Sequence, residues 1–155
     1  MKVGFRVTDI GEIMDFKLIA LDIDGTLLNS NKELTPHTRY ALIEAQRQGK
    51  RIIIASGRHP VGVVPLANDL MLGRYGGFIM AFGGGKIIDC TTGKTVVSKL
   101  FPKEYLPDIV GVLKDSNITV MVHDERKIFA NNRVNDYTYV ERDILKMDMI
   151  AVDDF

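Results

Sequence analysis

Lys17-Leu-Ile-Ala-Leu-Asp22-Ile-Asp24-Gly-Thr-Leu-Leu28 carries four apolar residues straight into two carboxylates, a glycine and a threonine. An unbroken apolar run of this kind is the pattern of a strand covered on both faces, as in a parallel sheet with helices on each side. Leu18 to Leu21 is expected to be such a strand. The acidic pair then falls at its carboxyl end, where open α/β sheets place their sites. Side chains alternate along a strand, so Asp22 and Asp24 would share a face if extension continued, and Gly25 lets the backbone turn sharply after them. Two converging carboxylates repel each other. A hard cation such as Mg2+ removes that penalty, because it takes oxygen ligands from one or two carboxylates and keeps several waters. Asp and Gly also build ordinary solvated turns; Asp-x-Asp-Gly-Thr directly after an apolar strand is the more specific arrangement.

A second strand repeats the theme. Thr35-Pro36 suits a helix start, with threonine to cap free amides and proline at the first helical position. Thr38, Ala41, Leu42 and Ala45 mark one helical face and Gly49 a stop. Arg51-Ile-Ile-Ile-Ala55 follows as a strand, giving a βαβ unit with a right-handed crossover. Its end carries Ser56-Gly57-Arg58: a hydroxyl, an unhindered amide and a guanidinium, all suited to phosphate oxygens and expected at the same sheet edge as Asp22. Arg58 reads either as a substrate contact or as a surface charge. His37 and His59 are expected to be solvated, since no second histidine stands at ligand spacing.

Asp22-Ile-Asp-Gly-Thr26, with Ser56-Gly-Arg58 behind it, resembles the signatures of the haloacid dehalogenase-like (HAD) phosphohydrolases, and the surrounding chain looks like their Cof-type sugar-phosphate phosphatase branch. The resemblance covers about residues 15 to 155 and matches only the first half or so of such a protein. It implies an α/β fold: a Rossmann-like parallel three-layer α/β/α core carrying an inserted, incomplete α+β cap. It also implies that Asp22 is the nucleophile that accepts the phosphoryl group and Asp24 the general acid/base. Both aspartates would serve the metal, with Gly25, Thr26, Ser56, Gly57 and Arg58 on phosphate or substrate. Gly83 departs from the family's Asn-Gly-Ala-like sequence and removes a side-chain amide, which weakens the case for a direct substrate contact there.

The remaining chain sorts into three segments. Residues 1–14 read as an N-terminal extension, with Met14 as an alternative start, or as a short strand from Val3 to Val7 pairing at the sheet edge. Residues 15–85 hold the core, including a helix over Pro60 to Leu72 with Val61, Val64 and Leu70 inward, a break at Gly73 to Gly77, and a third strand from Gly77 to Phe82 before the glycine triplet. Residues 86–155 read as the cap. It would contain a hairpin around Thr91-Thr-Gly-Lys94, a helix from about Lys103 to Asp115, a second hairpin around Asp124-Glu-Arg126 and a helix from Asn135 to Met147. No stretch supplies the lysine and further aspartate that a complete family member adds. Met147 to Asp154, an apolar run ending in paired aspartates, offers an alternative fourth core strand; truncation within the cap is the other reading.

Composition narrows the classes. A chain of 155 residues, 46% of them hydrophobic, can bury a real core. Twenty basic against twenty acidic residues give no electrostatic footprint for nucleic acid or an anionic membrane. Cys90, the only cysteine, excludes an internal disulfide and suits a reducing cytoplasm. No stretch approaches the roughly 18 apolar residues of a membrane span. The expectation is a Mg2+-dependent phosphatase acting on small phosphorylated metabolites such as sugar phosphates through an aspartyl phosphate. The alternatives are a phosphomutase or a non-catalytic fragment with an interaction role. A chain of this length standing alone is expected either to self-associate through the uncovered edge of the first strand, to cover that edge with Val3 to Val7, or to aggregate.

Overall fold

The computed structural model describes residues 16–99, 101–114, 118–124, 126–131 and 135–153. The chain divides into two compact units, one ending at Ser98 and the other beginning at Lys99. The first runs β1 (Leu18–Leu21), α1 (Pro36–Arg47), β2 (Arg51–Ala55), α2 (Val64–Asp69), α3 (Leu72–Tyr75), β3 (Phe78–Ala81), β4 (Lys86–Asp89) and β5 (Thr95–Ser98). Its five strands lie in the order β1-β2-β3-β4-β5. The first three are parallel, with Leu21 opposite Ile54 and Ile54 opposite Ile79, and the last two add antiparallel. The hairpin expected to open the cap is therefore part of this sheet: β4 pairs with β3, and the boundary falls after Ser98 instead of after Gly85.

The crossover from β1 to β2 forms as its residues dictate. Thr35 Oγ1 accepts the Thr38 amide at 3.1 Å, Pro36 opens α1, and Gly49, with φ 86, ends the turn that follows. Leu42 packs against the core from α1, and Gln46 is buried beside it, its Nε2 donating to the Leu70 carbonyl at 2.8 Å. The second crossover departs from expectation. Instead of one helix over Pro60 to Leu72 there is a 3-10 turn at Pro60–Gly62, then α2, then α3 after Met71 in the left-handed conformation at φ 56. The helix starts at Val64, so the inward stripe is Val63, Ala67 and Leu70, joined by Leu72, while Val61 and Val64 are exposed. The chain turns at Gly76 (φ 75), and Gly73 lies inside α3.

Both crossovers run in the same direction across the sheet, and right-handed connections then bring both helical segments to one face. Leu42 of α1 and Ala67, Leu70 and Leu72 of α2 and α3 accordingly share one core with Ile52, Ile54 and Ile79. The opposite face carries Leu18, Ala20, Ile53, Phe78 and Met80, matched across the strands by the parallel register. Leu18 is 49% exposed and Ala20 is exposed. This corrects the expectation that Leu18 to Leu21 is covered on both faces: among the described residues only the side of Ile19 and Leu21 is packed, and β1 is an edge strand.

The second unit contains α4 (Leu106–Lys114), β6 (Met121–His123), β7 (Lys127–Asn131), α5 (Asp136–Leu145) and β8 (Asp148–Val152). Asn135 caps α5 in a reciprocal capping box with Thr138. β6 pairs antiparallel with β7, and β8 returns through α5 to pair parallel with β7, closing over Ile128, Leu145 and Met147. The run at Met147 to Asp153 is thus a strand of this three-stranded sheet and adds nothing to the first one. The alternative N-terminal strand from Val3 to Val7 lies outside the described residues.

The approach of α3 to β2 depends on Gly77, where an added Cβ would lie 2.9 Å from both the Ile52 carbonyl oxygen and Leu72 Cβ. Gly77→Ala should lower stability by about 1–3 kcal/mol, because backbone cannot yield as a flexible side chain can. Gly111→Ala, in α4 with open space around it, should be neutral or stabilising. Urea denaturation of the two variants checks the contrast.

Candidate active site

The loop after β1 is held by its apolar residues. Ile23, Leu27 and Leu28 are buried in the core, and the Leu27 and Leu28 amides donate to the Asp22 and Ile23 carbonyls at 3.1 and 3.0 Å. Gly25 makes the turn at φ 75. Anchoring the apolar positions leaves Asp22, Asp24 and Thr26 exposed beyond the strand end.

The loop after β2 lies beside it. The Ser56 amide extends the ladder to the Met80 carbonyl at 2.9 Å, and Ser56 Oγ accepts the Arg58 amide at 3.2 Å. From the end of β3, the Phe82 amide donates to the Arg58 carbonyl at 3.2 Å and the Gly83 amide to the Ser56 carbonyl at 3.0 Å. The glycine triplet therefore braces the Ser56–Arg58 loop, with Phe82, Gly83 and Gly84 all at positive φ. Ser56 is buried, whereas Gly57 is exposed with open space where a Cβ would stand.

Arg58 joins the two loops. Its Nη2 donates to both carboxylate oxygens of Asp24, at 2.9 and 2.8 Å. Lys32 Nζ meets Asp24 Oδ1 at 2.8 Å from the other side. Lys32 is positioned by a closed turn in which Asn29 Oδ1 accepts the Asn31 and Glu33 amides, each at 2.9 Å. The Lys32 amide donates to the Asn29 carbonyl at 2.9 Å, with Lys32 at φ 63. The Lys32 hydrogen bond is the largest effect and lowers the Asp24 pKa; burial, next in size, opposes it, and the hydrogen bond and charge of Arg58 lower it further. Nothing in the polar run Asn29 to Glu33 marks Lys32 as a partner of Asp24; the contact arises only from tertiary folding.

His59 corrects another expectation. It is buried, its Nδ1 accepts the Val61 amide at 3.2 Å, and its ring meets Phe82 edge-on with centroids 5.2 Å apart. It caps a turn and supports the loop. His37 is exposed on α1, as its position in the first turn suggests.

The donor set suits a magnesium ion in part. Asp22 offers an exposed carboxylate, sufficient for an ion that keeps waters and takes phosphate oxygens. Both Asp24 oxygens are engaged by Arg58 and Lys32, so this residue would serve metal through its main-chain carbonyl or after the ion pairs open. Among the described residues no group of three or more His, Cys, Asp and Glu converges.

Residues 19–153 match the family model of the haloacid dehalogenase-like hydrolases. The chain belongs to this family. A haloacid dehalogenase-like hydrolase from Bacteroides thetaiotaomicron has a crystal structure 36% identical in sequence, with a TM-score of 0.80 over 90% of this chain and 53% of its own. A candidate phosphatase of Streptococcus pyogenes is 31% identical over 135 residues, 86% of this chain and 50% of that protein. The 5-amino-6-(5-phospho-D-ribitylamino)uracil phosphatase of Bacillus subtilis is 37% identical over 78 residues, 50% of this chain and 30% of that protein. The chain thus spans about half the length of the first two relatives.

In this member of the family the ion pair predicts a titration. Asp24 should titrate below the ordinary aspartate value of about 3.9. A folded value depressed in this way contributes stability above the unfolded pKa, and the contribution is lost as pH falls through the depressed value. Arg58→Met should raise the Asp24 value toward the ordinary one, read from its carboxyl carbon by NMR; an unchanged titration would contradict the pairing.

Proposed function

We propose that this protein hydrolyses phosphate monoesters of small metabolites, sugar phosphates among them, with Asp22 as nucleophile and Asp24 as general acid/base. The observation that carries the reading is the meeting of two strand ends: residues 34 apart in sequence, Asp24 and Arg58, are joined by hydrogen bonds at the carboxyl edge of a parallel sheet. An exposed carboxylate, a hydroxyl, unhindered amides and a guanidinium there match what phosphoryl transfer requires, an oxygen nucleophile and donors for three phosphoryl oxygens. The phosphatase relatives in Streptococcus pyogenes and Bacillus subtilis support the same class.

In the proposed cycle an Asp22 oxygen attacks phosphorus, the ester P–O bond breaks, and the departing oxygen takes a proton from Asp24. Water, deprotonated by Asp24, then attacks phosphorus, releases orthophosphate and restores the Asp22 carboxylate. The contacts on the Asp24 oxygens, that of Lys32 first and that of Arg58 after it, oppose the first step while they last, since they favour the ionised form. Phosphoryl oxygens are the natural competing partners for the Arg58 guanidinium. Once Arg58 turns to them, one Asp24 oxygen is free to carry the proton. Mg2+ held at Asp22 would offset charge between nucleophile and phosphoryl group. Ser56 and the Gly25, Thr26 and Gly57 amides are proposed to hold phosphoryl oxygens. We assign the second unit the role of a cap that selects substrate, the cytoplasm as the setting for the half-buried Cys90 thiol, whose pKa burial pushes up to about 11, and β1's outer edge as a self-association surface.

Asp22→Asn should abolish trapping of labelled phosphate on the protein after rapid quenching while leaving the unfolding midpoint unchanged. Asp24→Asn should lower turnover by ~10²–10⁴-fold with a smaller effect on substrate affinity. Equal trapping by the Asp22 variant and the parent would remove Asp22 as nucleophile.

A further inference from the structure

Arg58 is fastened through its main chain as well as through Asp24. Its amide donates to Ser56 Oγ and its carbonyl accepts the Phe82 amide, each at 3.2 Å, so the residue is tied both to its own loop and to the end of β3. The second tie is strained. Phe82 sits at φ 53, a left-handed conformation that is an outlier for a bulky side chain, and such backbone persists only where its surroundings hold it. Burial alone does not supply the hold, because Phe82 is 44% exposed. His59 lies against it. The imidazole is 7% exposed and meets the Phe82 ring edge-on with centroids 5.2 Å apart, while Nδ1 accepts the Val61 amide at 3.2 Å. One contact closes a turn within the loop, and the other reaches across to the end of β3.

We propose that His59 is a positioning residue for Arg58: its ring holds Phe82 in the left-handed turn whose amide fixes the Arg58 carbonyl, and so sets the guanidinium for phosphate. The inference rests on the phosphomonoesterase reading, which passes that guanidinium from Asp24 to phosphoryl oxygens. Two main-chain bonds join the loop to the end of β3, from Phe82 to Arg58 and from Gly83 to Ser56, and both use the same turn. Gly83 takes positive φ without a steric penalty. Phe82 does not, and an edge-on ring pair at this separation is attractive beyond the area it buries, so the ring contact offsets what the backbone loses. Arg58 Nη2 has to reach both Asp24 oxygens, at 2.9 and 2.8 Å, and later phosphoryl oxygens, from one place in the chain. A small displacement of that place weakens both contacts, as misplaced groups near reacting atoms do. The Val61 bond closes the turn without touching β3.

Two variants of the full chain separate the two contacts of His59. His59→Asn keeps an acceptor at the turn, where Asn is a favoured cap, and removes the ring; His59→Phe keeps a ring for Phe82 and removes the acceptor. Both should lower the urea unfolding midpoint, one by a lost ring and the other by an unpaired Val61 amide. Only the first should lower phosphate affinity. With Mg2+ present, His59→Asn is expected to weaken orthophosphate about tenfold, the size of one lost charged hydrogen bond, and His59→Phe to recover most of it. Phe82→Leu, which leaves His59 in place and removes its ring partner, should match His59→Asn. In an Arg58→Met background His59→Asn should add no further loss, because it acts through Arg58. Equal weakening by the Asn and Phe variants would reduce His59 to a turn cap and overturn the proposal. A His59→Asn effect that persists in full without Arg58, or a parent that binds no orthophosphate, would also overturn it. The hydrolase reading is judged apart from this, by phosphate trapping at Asp22 with any phosphate monoester.

Discussion

The parallel pairing of β1 with β2, in the register that sets Leu21 beside Ile54, is the constraint on which the rest depends. It ends both strands at the same level, so that the loops leaving them, one acidic and one cationic, emerge side by side. Each loop is tethered separately to the hydrophobic core or the sheet: the first by Ile23, Leu27 and Leu28, the second by the Ser56 amide on β3. The Arg58–Asp24 contact follows from that placement. Arg58 is 22% exposed and Asp24 43%, so the pair contributes little to stability. Its weight is electrostatic: without a cation nearby, two aspartates within three residues would repel each other at the strand end. The same contact gives Asp24 a poor starting state for an acid, and exchange of Arg58 onto phosphoryl oxygens is the proposed release.

Much of this was legible because its signals are local. Thr35-Pro36 sets the start of α1, Asn135 the start of α5, and the apolar runs at Leu18, Arg51 and Phe78 became the parallel strands where the pattern put them. Asp22, Asp24, Ser56 and Arg58 were all marked by position at strand ends. The misreadings have more than one cause, some from partners distant in sequence and some from local turns. His59 looked solvated because nothing nearby shows that Phe82 will lie against it. Lys32 drew no reading of its own, because its contact with Asp24 depends on the turn at Asn29. Pro60 to Leu72 failed as a single helix because Pro60–Gly62 forms a 3-10 turn before α2 and Met71, in the left-handed conformation, separates α2 from α3.

The sheet faces show the same limit. An apolar run says that a strand will be buried and does not say by what. Ile19, Ile52, Ile54 and Ile79 meet α1, α2 and α3, while Leu18, Ala20, Ile53, Phe78 and Met80 form a second apolar surface that the described helices of this unit leave half open. Parallel sheets are ordinarily covered on both faces. The second unit has its own core and its own sheet, with β8 completing a βαβ arrangement around α5. Asp153, which sequence pattern alone offered as part of a late acidic motif, therefore follows the end of that strand.

The central claim is that the ends of β1 and β2 make one site for metal and phosphate. Paramagnetic broadening by Mn2+, used in place of Mg2+ with orthophosphate present and followed by amide NMR on the full chain, tests it most directly. The account predicts that the amides of Asp22 to Thr26 and of Ser56 to Arg58 broaden together at the lowest Mn2+ concentrations, and that Asp22→Asn removes the effect from both loops. Broadening of one loop without the other, or centred on acidic residues elsewhere in the chain, would contradict it.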